Sequence, residues 1–71
     1  MNARIEAMIN AMANKRAYHG NNGIEIRWIE SDQKYSLAFR NFFMTFNTYR
    51  LNEDTDCLCL YKNGAYVGYL D

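Results

Sequence analysis

The segment Cys57-Leu-Cys-Leu-Tyr-Lys, Asn63-Gly64, Ala65-Tyr-Val-Gly-Tyr-Leu limits the fold of this chain more than any other. Asn-Gly is favoured in two-residue type I′ turns because both central residues need positive φ. An even count outward from that turn sets a β-hairpin register. Lys62 falls opposite Ala65, Tyr61 opposite Tyr66, Leu60 opposite Val67, Cys59 opposite Gly68, and Leu58 opposite Tyr69. One face of the ribbon then carries Leu58, Leu60, Val67 and Tyr69. The other carries Cys57, Cys59, Tyr61, Tyr66 and Leu70. Neither face is polar, so the second one needs cover from something other than water.

The chain upstream reads in order of decreasing clarity. Residues 2–18 form an amphipathic helix, with Ile5, Met8, Ile9, Met12 and Ala13 on one stripe and Asn2 as N-cap. Lys15, Arg16 and His19 then lie near the negative end of its dipole, and Gly20 supplies the left-handed C′ residue. Gly20-Asn21-Asn22-Gly23 is a turn. It leaves a helix and enters a strand, which is the wrong context for a phosphate loop. Ile24 to Trp28 alternates with period two, placing Ile24, Ile26 and Trp28 inward and Glu25 and Arg27 outward.

Residues 31–51 support two readings. Tyr35, Phe39, Phe42, Phe46 and Tyr49 recur at spacings of four, three, four and three, which predicts a helix over 33–50 with Ser31 as N-cap. Lys34 to Arg40 also alternates as a strand, with Ser31-Asp32-Gln33 as a hairpin loop back to the preceding strand. The strand reading lacks a recognisable turn at Arg40-Asn41. The helix is therefore preferred.

The expected fold is α+β in the order α-β-α-β-β: an N-terminal helix on a three-stranded antiparallel sheet, with a C-terminal β-hairpin. The alternative is one helix plus a four- or five-stranded antiparallel meander. Residues 1–71 are expected to make one small globular domain, since the chain has no proline linker, internal repeat or low-complexity stretch. At this length a core is small. The 49% apolar and 15% aromatic content compensates, because rings bury the most surface per residue.

Eight basic and eight acidic residues balance to zero. That counts against a general nucleic-acid binder, whose affinity comes from neutralising phosphates. Seven of the basic residues precede position 51, whereas Glu53, Asp54, Asp56 and Asp71 follow it, so the molecule is dipolar. No apolar run suits a signal peptide or a membrane span. Cys57 and Cys59, about 6.6 Å apart on a strand, are poorly placed for a mutual disulfide, so reduced thiols and a cytoplasmic location are expected.

No catalytic, metal-binding or cofactor-binding residue is expected. Cys57, Cys59 and His19 lack the second ligand pair of a structural zinc site. Glu53 and Asp54 sit in a solvated loop, where a carboxyl has no reason to become a general acid. The sequence favours a small non-enzymatic binding protein that touches a larger protein. An inhibitor or adaptor of the kind encoded by phages and mobile elements is the analogy, and it rests on size alone. The expected interface residues are Tyr61, Lys62, Tyr66, Leu70, Arg27 and Arg40. A nucleic-acid module using Tyr61, Tyr66 and Trp28 for stacking, with Arg27, Arg40 and Lys62 on phosphates, is the alternative. A homodimer through the second hairpin face is the third expectation. No membrane partner is expected.

Overall fold

The computed structural model describes residues 2–71. Helix α1 (Ala3–Ala13) precedes seven strands: β1 (Tyr18–His19), β2 (Glu25–Ile29), β3 (Lys34–Phe39), β4 (Phe42–Phe46), β5 (Thr48–Asn52), β6 (Cys57–Lys62) and β7 (Ala65–Leu70). The strands form two antiparallel sheets in sequence order, β1-β2-β3-β4 and β5-β6-β7. The class is α+β with one N-terminal helix, and the C-terminal hairpin is present.

The helix begins as its sequence requires: the Ile5 N–H donates to Asn2 Oδ1 at 2.8 Å. It ends at Ala13, five residues earlier than the periodicity suggested. Lys15, at φ 55, takes the left-handed C′ role expected of Gly20. The Lys15 N–H then donates to the Met12 carbonyl and the Arg16 N–H to the Ala11 carbonyl, at 3.1 and 2.8 Å, which is a Schellman closure on a non-glycine residue. His19 consequently lies in β1 rather than at the helix terminus.

The expected second helix is absent. Its residues form β3, β4 and the start of β5, after a short 3₁₀ turn at Glu30–Asp32. Two turns made by non-glycine residues explain the difference. Gln33 at φ 53 lets β2 return as β3, with Ile29 opposite Lys34. Arg40 at φ 54 lets β3 return as β4 through a two-residue loop, with Phe39 opposite Phe42. Positive φ disfavours an arginine by about 1 kcal/mol, so residue type gives no sign of a turn there. The rings spaced like a helical stripe do meet, but across strands. Tyr35 stacks on Phe46 at 5.2 Å and meets Tyr49 edge-on at 6.0 Å. Phe42 of the same stripe is exposed, as is its neighbour Phe43.

The core lies between helix and sheets: Ile5, Met8 and Met12 from α1, Ile26, Tyr35, Leu37 and Phe46 from the first sheet, and Leu58, Leu60 and Leu70 from the second. Each such side chain contributes about 2 kcal/mol of burial. Lys15 pins the end of α1 to this core. Its ammonium sits 3.8 Å from the centroid of the Trp28 ring and donates to the Tyr35 hydroxyl at 2.8 Å. That hydroxyl donates onward to the Met12 carbonyl at 3.1 Å.

The hairpin register departs from an even count. Asn63 and Gly64 both have positive φ, and Lys62–Ala65 and Tyr61–Tyr66 pair as expected. A bulge then shifts the ladder, so that Leu60 pairs with Gly68, Cys59 with Tyr69, and Leu58 with Leu70. Val67 is the extra residue. Past it every side chain changes face. Leu70 is buried at 9% exposure, whereas Val67 and Tyr69, expected in the core, are 40% and 59% exposed.

Candidate functional site

The bulge gives the second sheet an outer face unlike the one an even register produces. On the central strand β6, Leu58 and Leu60 point inward, so Cys57, Cys59 and Tyr61 point outward. On β7, Tyr66 lies opposite Tyr61 and Tyr69 opposite Cys59, on that same outer face. On β5, Thr48, Arg50 and Asn52 lie opposite Tyr61, Cys59 and Cys57. The result is a solvent-facing platform of three tyrosines, two cysteines and one arginine on three strands.

Its geometry is ordered. The Tyr61 and Tyr66 rings meet edge-on, with centroids 6.0 Å apart and planes at 73°, an arrangement that aromatic quadrupoles favour. The Tyr66 ring is nevertheless 58% exposed. Its hydroxyl is pushed above the usual phenol range, first by lost hydration and then by Cys59, Tyr69, Tyr61 and Cys57 around it. Both cysteines are free and half-buried, and the Cys57 thiol donates to the Thr55 carbonyl at 3.5 Å. Arg50, Cys59, Glu53 and Asp54 line a shallow cleft of about 400 Å³ at one end of the platform.

The second sheet is held to the first near the hairpin tip. The Asn47 N–H donates to the Tyr61 carbonyl at 2.9 Å, and the Asn47 side chain exchanges hydrogen bonds with Asn63 at 2.9 and 3.0 Å. The Tyr61 backbone is therefore held from the β4–β5 junction.

Only two of the six interface residues expected from sequence meet here, Tyr61 and Tyr66. Lys62, next along β6, projects to the opposite side and joins Phe42, Phe43 and Val67. Leu70 is in the core because of the bulge, so its side chain has no surface to offer. Arg27 lies on the first sheet, where its guanidinium donates to Glu25 at 2.8 Å and holds that carboxyl below the ordinary range. Arg40 is in the β3–β4 turn over the Phe39 ring at 5.2 Å. The stacking set Trp28, Tyr61 and Tyr66 is not assembled either, since Trp28 lies under Lys15.

Sequence reasoning missed Tyr69 and Arg50. Tyr69 was hidden by the bulge, which has no residue signature here beyond Gly68. Arg50 was hidden by the helix assignment. His19 is on the other sheet from Cys57 and Cys59, with Nδ1 3.1 Å from Glu25. Among the described residues, no three of His, Cys, Asp and Glu gather as metal ligands would, and no helix is long and apolar enough to cross a membrane. Comparison with protein-family models, with curated proteins and with solved structures finds no match.

Proposed function

We propose that this chain is a non-enzymatic binding protein, of the inhibitor or adaptor type, that engages a larger protein through the outer face of the second sheet. One observation carries the reading: Tyr61, Tyr66 and Tyr69 stand together with Arg50 on a solvent-facing, backbone-ordered surface. Tyrosine and arginine are the residue types that dominate interface hot spots. Tyrosine supplies large amphipathic area while freezing only two side-chain torsions. Free thiols at Cys57 and Cys59 suit a reducing compartment such as the cytoplasm. The test is capture of a stoichiometric partner by the wild-type chain and its loss in Tyr61→Ala/Tyr66→Ala. An exposed control, Arg16→Ala, should leave capture intact.

A second reading takes the same tyrosines as a base-stacking platform for single-stranded nucleic acid. The row of three rings is the observation in its favour. Against it, Arg27 is engaged by Glu25, and Lys62 and Arg40 lie off the face, leaving Arg50 as its basic residue. Mobility shifts with single-stranded DNA and RNA at low salt separate the two, because phosphate-driven binding is strongest there.

A further inference from the structure

We propose that strand β4 pairs with β4 of a second copy of this chain, joining the two four-stranded sheets into one eight-stranded antiparallel sheet. The surface is different from the tyrosine platform, and the inference stands whether or not that platform binds a protein.

The argument begins with the four sheet edges, β1 and β4 of the first sheet and β5 and β7 of the second. An open edge invites pairing, and proteins blunt it by shortness, charge, proline or a bulge. Strand β1 has two residues. Strand β5 presents Arg50 between Thr48 and Asn52. Strand β7 carries the bulge at Val67. Strand β4, Phe-Phe-Met-Thr-Phe, has no charge, proline or bulge of its own. Lys62 of β6 lies beside it, and among the described residues the hairpin tip is tied only to Asn47, beyond its end.

Strand β4 also has free hydrogen-bonding groups in a usable pattern. The residues flanking a two-residue hairpin loop bond to each other, so Phe42, Met44 and Phe46 direct their backbones to β3. Phe43 and Thr45 then direct theirs to the open side, where no partner is found among the described residues. Two such edges related by a two-fold axis through Met44 place Phe43 opposite Thr45 of the other copy, twice. That register forms two hydrogen-bonded pairs. It leaves the two Arg40 side chains about 26 Å apart, beyond the Debye length at physiological salt.

Area and shape favour a second copy over a lone peptide. Phe42 and Phe43 are 54% and 65% exposed, and Val67 of β7 borders the same side. Between the two strands runs an apolar cleft of about 190 Å³, where Met44 lies under Gly68. These three side chains offer roughly 300 Å² of apolar surface per copy. With the paired backbones, the total approaches the ~1,000 Å² of a specific interface. The patch spans both layers at one edge, β4 in one sheet and β7 in the other. A single added strand covers one layer, whereas a second copy brings a matching pair. Zero net charge removes the long-range repulsion that would oppose it.

The test is the mass of the full chain by sedimentation from micromolar to millimolar concentration, with amide exchange measured at both extremes. A dimer is expected, with Phe43 and Thr45 amides slowing as concentration rises. Phe43→Lys and Thr45→Pro, each on the open side of the edge, should weaken it about tenfold or more. Exchange on the unmodified chain keeps the test valid even if a variant misfolds. A monomer at all concentrations overturns the inference. So does a dimer that leaves Phe43 and Thr45 unprotected, or one abolished by Tyr66→Ser but unaffected by Phe43→Lys.

Discussion

Leu60 pairs with Gly68 rather than with Val67, and this one-residue slip decides what the last strand buries and what it shows. Leu70 becomes core and Tyr69 becomes surface. Because side chains alternate along a strand, every residue beyond a bulge exchanges faces.

The energetic order of two substitutions follows. Leu70→Ala should cost about 2–4 kcal/mol, the range for emptying a buried leucine site. Val67→Ala should cost under about 1 kcal/mol, because its side chain is partly solvated and has no cross-strand partner. Urea unfolding of the two variants checks this. An even register demands the reverse order.

Arg40 offers a test in which the sign itself discriminates. At φ 54, Arg40→Gly should stabilise the chain by up to about 1 kcal/mol, since glycine enters that region without steric cost. In a helix over 33–50 the same change would destabilise by about 1 kcal/mol. Paired denaturation curves for the wild type and Arg40→Gly decide it.

Tyr35 joins the end of α1 to the sheets through one hydroxyl. Tyr35→Phe should cost about 1–2 kcal/mol, because it leaves the buried Met12 carbonyl without its donor and deprives the Lys15 ammonium of an acceptor. Lys15→Met should cost about 1 kcal/mol through loss of the contact with Trp28. The two effects should be less than additive, since the groups share one network. A double-variant cycle by thermal unfolding measures that coupling.

Acid and alkali act on different residues. The hydrogen bond from Arg27 lowers the Glu25 carboxyl below its unfolded value. Its contribution is therefore present above the unfolded carboxyl range and is lost as pH falls through the lower folded value. Tyr49 and Tyr66 are raised, chiefly by lost hydration. Their contribution is complete below the unfolded phenol value and is lost as pH climbs through the folded one. Absorbance titration should show late-ionising tyrosines, and Tyr66→Phe should remove one of them. Glu25→Gln should flatten the acid limb of the stability profile.

Some of this fold can be read directly from residues. Asn63-Gly64 marks its turn because both positions need positive φ, Asn2 marks the helix start through its side-chain oxygen, and Ile26 marks a core strand by alternation. What could not be read has a common physical cause. Lys15, Gln33 and Arg40 adopt positive φ without being glycine, so the chain reverses where residue type gives no warning. The spacing of Tyr35, Phe39, Phe42, Phe46 and Tyr49 then fits a helix by coincidence, since three consecutive strands can present the same intervals. The bulge is equally silent, which is why Tyr61 and Tyr66 could be placed on the candidate surface while Tyr69 and Leu70 were exchanged.

The central claim is that the tyrosine platform binds a protein. It is tested most directly by affinity purification from the native host with the wild-type chain beside Tyr66→Ala/Tyr69→Ala, both verified as folded. A partner should co-purify with the wild type at near-equal molar amount. The variant should weaken that partner by about thirtyfold or more, the effect of removing one strong aromatic anchor. Equal recovery by the two chains, or no stoichiometric partner with either, would contradict the claim.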